Sequence, residues 1–141
     1  MAKQHHILVV EDEERWREDI FREALEDDGH RVETSSTYGE AAAALRQQVF
    51  DLVVIDINLT GDPGNKDGIR LLELMTALGH ESQVVLVSGS QTQAMSKESI
   101  KKFHPIAFVD KTVFDVVKFA KLVTEALEGP GAGSSPNASR S

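Results

Sequence analysis

Four short apolar runs in this chain each lead into a polar group that can do chemistry. Residues 7–10 are followed by Glu11 and Asp12. Residues 52–57 carry Asp56 near their end. Residues 84–87 are followed by Ser88 and Gly89, and residues 106–109 lead to Lys111. An aspartate inside an apolar run needs a partner. Two carboxylates brought close together repel unless a cation or a proton joins them. A hard divalent cation such as Mg²⁺ takes oxygen ligands and keeps some of its waters, which suits such a pair. With a serine hydroxyl and a lysine ammonium added, the set is suited to phosphoryl transfer onto a carboxylate. Asp56 is then the nucleophile. Asp12, Asp56 and the backbone carbonyl of Asn58 hold Mg²⁺, and Ser88 and Lys111 meet phosphoryl oxygens. Taken singly, an acid after a strand is a common turn residue, and the acids at 11–13 could simply favour the start of a helix. The combination carries the reading.

The same runs define the elements that must position these groups. Their length and apolar content predict buried strands. Trp16, Ile20, Ala24 and Leu25 recur at helical spacing, and Gly29 ends that helix. A weaker strand surrounds Val32. Thr37 and Glu40 have capping-box spacing ahead of an alanine-rich helix. Ile69, Leu72 and Met75 or Thr76 lie near one face of the helix opened by Gly68. Val116, Ala120, Val123 and Leu127 form the stripe of the last helix, with Thr112 and Asp115 spaced to cap it. Strands and helices alternate five times. Solidly apolar strands imply a parallel sheet covered by helices on both faces. Ligands of such sheets bind beyond the carboxyl ends of the strands, where the polar groups above fall. If the first and third strands are neighbours, Asp12 and Asp56 face each other.

The 141 residues suit one domain, assigned here to residues 1–128. Residues 129–141 are rich in Gly, Ser and Pro and are expected to be a disordered tail or linker stub. A net charge of -8 with no dense basic patch argues against nucleic-acid binding. Without cysteine there are no disulfides or thiolate metal sites. No apolar run approaches membrane-spanning length and no signal peptide is visible, so a cytoplasmic location is expected. The histidines at 5, 6, 30, 80 and 104 lack metal-ligand spacing and are expected at surface or boundary positions.

The ordered set of the acidic pair at 11–12, Asp56, Ser88-Gly89 and Lys111 resembles the receiver domain of two-component response regulators, over residues 7–127. The resemblance implies a flavodoxin-like, doubly wound (βα)₅ sandwich of three layers, with strand order 2-1-3-4-5. It implies phosphorylation of Asp56 by a histidine kinase or a histidine phosphotransfer protein, with Mg²⁺ held by Asp12, Asp56 and the Asn58 carbonyl and Glu11 acting through water. Phosphorylation would draw Ser88 inward. Phe108, three residues before Lys111, matches the family's aromatic switch position and would follow. The surface of the fourth helix, fifth strand and fifth helix would then change partners or form a homodimer. A downstream protein, or an output domain outside this chain, would read the change. The chemistry is limited to Mg²⁺-dependent self-phosphorylation and autodephosphorylation.

Three departures from the family pattern stand out. Gly68 lies twelve positions after Asp56, so the loop around Asp62-Pro63 is about four residues longer than usual. Thr112 follows Lys111 where the family has proline; a trans peptide with Thr112 capping the last helix is expected. Residues 91–103 are polar and predict a loosely held helix. These departures keep a second reading in view, a pseudo-receiver that binds proteins without phosphorylation. An aspartyl-phosphate phosphatase is disfavoured because position 58 is Asn rather than a second Asp. A nucleotide-binding domain is disfavoured because no glycine cradle follows the first strand.

Overall fold

A computed structural model describes residues 4–57, 67–89 and 103–128. Its described strands are β1 (His6–Val10), β2 (Arg31–Ser35), β3 (Leu52–Asp56), β4 (Gln83–Ser88) and β5 (Ala107–Asp110). They form one parallel sheet in the order β2-β1-β3-β4-β5. The strand order is the expected one. The helices, numbered over the described residues alone, are α1 (π-helical Arg15–Arg22 running into α-helical Glu23–Asp27), α2 (Tyr38–Gln47), α3 (Asp67–Leu78) and α4 (Val116–Glu128). The helix expected over 91–103, except for Phe103, most of the long loop after Asp56, and the tail from 129 lie outside the described residues.

Alternation along each strand sends successive side chains to opposite faces. Leu8, Val10, Val53, Ile55 and Leu86 pack against α2 and α3, with Ala41, Leu45, Leu71 and Met75. Ile7, Val9, Leu52, Val54, Val85 and Val87 pack against α1 and α4, with Phe21, Leu25, Phe119 and Val123. Burying one such aliphatic or aromatic side chain stabilises the fold by about 1.5–3 kcal/mol. The central strands are buried on both faces, so they have no polar face to spare, and their chemistry can only appear at their ends.

Local signals explain most boundaries. Thr37 Oγ1 accepts from the Glu40 backbone N–H at 3.1 Å, while the Glu40 carboxylate reaches back to Ser36 N rather than to Thr37. Gly29 closes α1 with a φ of +87°, a left-handed conformation that favours glycine. Four expectations are corrected. In α1 the helical pattern named Trp16, Ile20, Ala24 and Leu25; Leu25 is buried and Trp16 and Ile20 are partly buried against the core, but the fully buried Phe21 was not in the pattern. The first part of α1 is π-wound, so side chains five apart align and Trp16 meets Phe21, their ring centroids 5.6 Å apart. In α4 the buried residues are Phe119 and Val123, and Val116 is exposed. Thr112 does not cap that helix. It sits in a 3₁₀ turn, Lys111–Val113, and Asp115 caps α4 by accepting from Val117 N and Lys118 N. Finally, His30 is buried rather than at the surface, edge-on to His5 with ring centroids 5.6 Å apart.

Candidate functional site

The strand order fixes the site. β1 and β3 are adjacent, with Val10 opposite Ile55, so the residues that follow each strand end side by side. Glu11 follows β1 directly and is tied by its backbone N–H to Ser35 O at 3.0 Å. Asp56 is the last residue of β3, level with Val87 of β4. The carboxylates of Glu11, Asp12 and Asp56 present oxygens that all lie within 4.8 Å of one another. Glu11 and Asp56 are buried, and Asp12 is partly exposed at the mouth.

Gly68 explains how the start of α3 can come so close to this end of β3. A Cβ there would lie 2.7 Å from Ile57 Cα, 2.8 Å from Ile57 O and 3.0 Å from Asp56 O. These are backbone atoms and cannot step aside. Glycine is required at 68 for the helix to pack against the segment carrying Asp56.

Lys111 reaches this cluster from the turn after β5. Its Nζ is 2.7 Å from Glu11 Oε1, 3.1 Å from Glu13 Oε1 and 3.2 Å from Asp56 Oδ2, with only 9% of its side chain exposed. Burial alone would lower the lysine pKa. The close contact with Glu11 and the negative charges of Asp56 and Glu11 outweigh that and raise it, so Lys111 is a fixed cation. Glu11 is pushed the other way, from an ordinary 4.5 to about 8, by burial first and then by the Asp56 charge, against the pull of Lys111. Burial and the Asp56 charge also hold Asp12 above its ordinary value. Three acids against one shared lysine therefore leave the cluster short of positive charge.

The donor set fits a hard divalent cation. Glu11 Oε1 is buried and touches Lys111 as an ion pair, without the angles of a hydrogen bond. It keeps a lone pair for a metal or a metal-bound water. Three carboxylates with one member partly open to solvent match Mg²⁺, which binds a few carboxylates and retains waters.

Ser88 is the buried last residue of β4, one position beyond the level of Asp56, and pairs in register with Asp110. A Cβ added at Gly89 would meet nothing within 4 Å, so space is open there. Phe108 lies on β5 opposite Leu86 and is 46% exposed, an outward-facing aromatic rather than a core one. Asn58 lies outside the described residues. The structure thus brings Glu11, Asp12, Asp56 and Lys111 together and places Ser88 at the same end of the sheet, with Phe108 apart from them on β5. Two residues near Lys111 were not foreseen. Glu13 holds its ammonium, and Trp16 covers it, with Nζ 5.1 Å from the ring centroid.

No helix among the described residues is long and apolar enough to cross a membrane. A sequence profile of the response regulator receiver domain matches residues 7–124. The alginate biosynthesis transcriptional regulatory protein AlgB of Pseudomonas aeruginosa is 38% identical over 86 residues, which is 61% of this chain and 18% of AlgB. The sensor histidine kinase AruS of the same organism is 43% identical over 58 residues, 41% of this chain and 6% of AruS. Among solved structures, NtrX from Brucella abortus superposes with a TM-score of 0.74 at 29% identity, covering 89% of this chain and 27% of NtrX. The chain thus spans about a fifth of the length of the AlgB proteins that it matches.

Proposed function

The chain belongs to the response regulator receiver domain family, and from that premise we propose that Asp56 accepts a phosphoryl group from a histidine kinase or a histidine phosphotransfer protein. The observation that carries this reading is the position of Asp56. It is a buried carboxylate at the end of a central strand, 3.2 Å from Lys111 and grouped with Glu11 and Asp12. In the transfer, an Asp56 carboxylate oxygen forms the new bond to phosphorus. The bond between phosphorus and the donor breaks, and its electron pair leaves with the donor, which takes a proton. Glu11, Asp12, Asp56 and the Asn58 carbonyl are the residues to hold Mg²⁺, which supplies positive charge against the phosphoryl oxygens when bound. Lys111 exchanges one carboxylate partner for a phosphoryl oxygen, and the Ser88 hydroxyl donates to another.

Residues 1–128 form the receiver unit in this reading, and 129–141 a tail. The output follows from the same exchange. As Ser88 moves toward the phosphoryl group, the β4–β5 edge rearranges and Phe108 changes its exposure. A partner protein, a further domain or a second copy of the chain then meets a different surface. Phe108 has no hydroxyl, so it can act only through packing.

Intact mass after incubation with a small acyl phosphate and Mg²⁺ tests the reading. The expected result is a gain of one phosphoryl group that is absent from D56A and from a chelated sample. Folded, Mg²⁺-binding protein with no gain from any donor, a cognate kinase included, would move the chain to the pseudo-receiver reading.

A further inference from the structure

The 3₁₀ turn Lys111–Val113 is tied down at Thr112, whose N–H and Oγ1 donate to Asp110 Oδ1 at 2.8 and 2.7 Å. Those bonds fix the backbone at 112. They do not fix the long side chain of Lys111, and no proline follows it to stiffen the turn. Trp16 of α1 makes contact on both sides of that turn. Its ring lies 5.1 Å from Lys111 Nζ, inside the range at which an indole face attracts an ammonium. It also meets Phe114, three residues further on, edge-on at 5.2 Å with the rings 81° apart. Trp16 and Phe114 both rest on Phe21, which is fully buried, at centroid distances of 5.6 Å.

We propose that Trp16 is a positioning residue for Lys111, holding the ammonium where a phosphoryl group on Asp56 meets it. The inference rests on the phosphoacceptor reading. Its chemical logic lies in the count of donors. An ammonium has three N–H groups, and Glu11, Glu13 and Asp56 offer it three carboxylate partners. A phosphoryl oxygen must replace one of them. Glu13 is the most exposed of the three, with 61% of its side chain accessible, and is the partner given up at least cost. The indole attracts the cation without accepting a hydrogen bond, so its hold persists while the carboxylate partners change. The aromatic contact at Phe114 anchors the far side of the turn and leaves the backbone around Lys111 little freedom to withdraw.

The test is a double-mutant cycle on the rate of phosphoryl uptake from a small acyl phosphate at saturating Mg²⁺. W16L is expected to slow uptake about two- to tenfold, the range such a contact carries. W16F, which keeps an aromatic face, is expected to recover most of the loss. In a K111A background, W16L should change the rate less than twofold. Equal losses in both backgrounds would mean that Trp16 acts only through the fold, and no loss in either would remove the proposal. A second readout does not depend on phosphorylation. Trp16 is the single tryptophan of the chain, so K111A should change the emission of unphosphorylated protein if the contact exists. Unchanged emission would overturn the contact. Wild-type protein that takes up no phosphoryl group while its emission responds to K111A would instead sink the phosphoacceptor reading and leave the contact standing.

Discussion

The two ends of the sheet both bury groups that can titrate, and they treat them in opposite ways. At the carboxyl end, Glu11 and Asp56 are buried within reach of Lys111, and Asp12 stands at the mouth. Acids there are crowded and only partly compensated, and Glu11 is pushed toward its protonated form. At the amino end, His30 is buried against His5, and neither ring nitrogen of His30 has a hydrogen-bond partner. Burial first, and the nearby His5, lower its pKa, so it stays neutral. A neutral imidazole can be kept as a poorly satisfied core residue at modest cost. Clustered carboxylates cannot, since each needs a cation or a proton. A buried histidine can thus serve as a core residue, whereas the acidic cluster is consistent with a Mg²⁺ site.

Removing the cation from the carboxyl end should have the largest effect on stability. K111M leaves Glu11 and Asp56 facing each other without a counter-charge. It should cost about 3–5 kcal/mol in denaturant unfolding without Mg²⁺, the range for breaking a buried pair. D56N removes one of the repelling charges, so the K111M/D56N double variant should recover much of that loss; an additive double variant would break the comparison. Next in size is G68A. Its Cβ collides with the backbone of Ile57 and Asp56, and strain of this kind costs about 1–3 kcal/mol. Unfolding measurements check the cost, and weakened Mg²⁺ binding in the same variant would show that the shift reaches Asp56.

Mg²⁺ itself should stabilise the wild-type protein by mass action, by about 2.7 kcal/mol at one hundred times its Kd. D12N should lower that gain, and H30L should leave it unchanged. The smallest effect belongs to the amino end. The folded-state pKa of His30 lies below its ordinary 6.5. Below pH 6.5 the unfolded chain therefore takes up a proton that the native state refuses. The His30 contribution is fully present above pH 6.5, is lost as pH falls below it, and levels off once the native state also protonates. Wild type should lose stability between pH 7.5 and 5.5 faster than H30L does, by less than about 1.4 kcal/mol per pH unit. Parallel pH profiles would show that His30 is not held neutral by the fold.

Much of this was legible in the residue order. The strong strands β1, β3 and β4 are apolar without interruption, because a central parallel strand has no solvent face. Their ends therefore advertise Glu11, Asp12, Asp56 and Ser88. The faces of α1 and α4 were read less well. A period of 3.6 picks Trp16, Ile20, Ala24 and Leu25 but passes over Phe21, which the π-wound start of α1 brings against Trp16 and into the core. Burial of Phe119 in place of Val116 follows from where α4 begins. Asp115 caps it, and the 3₁₀ turn has already used Thr112. Glu13 and Trp16 left no readable signal as partners of Lys111, because they lie 98 and 95 positions from it and only the closed sheet brings them together. His30 looked like a boundary residue since nothing local marks an imidazole for burial.

The central claim is that the crowded carboxyl end exists to receive a phosphoryl group on one particular carboxylate. Treating the phosphorylated protein with borohydride tests it most directly, because the reagent reduces an acyl phosphate to the corresponding alcohol and leaves free carboxylates alone. Peptide sequencing by mass spectrometry should then find homoserine at position 56 in protein incubated with donor and Mg²⁺, and aspartate there in protein without donor. Homoserine at Asp12, or the matching reduced side chain at Glu11 or Glu13, would contradict the assignment of the nucleophile. Unmodified aspartate at 56 in protein that has gained a phosphoryl group would contradict the account as a whole.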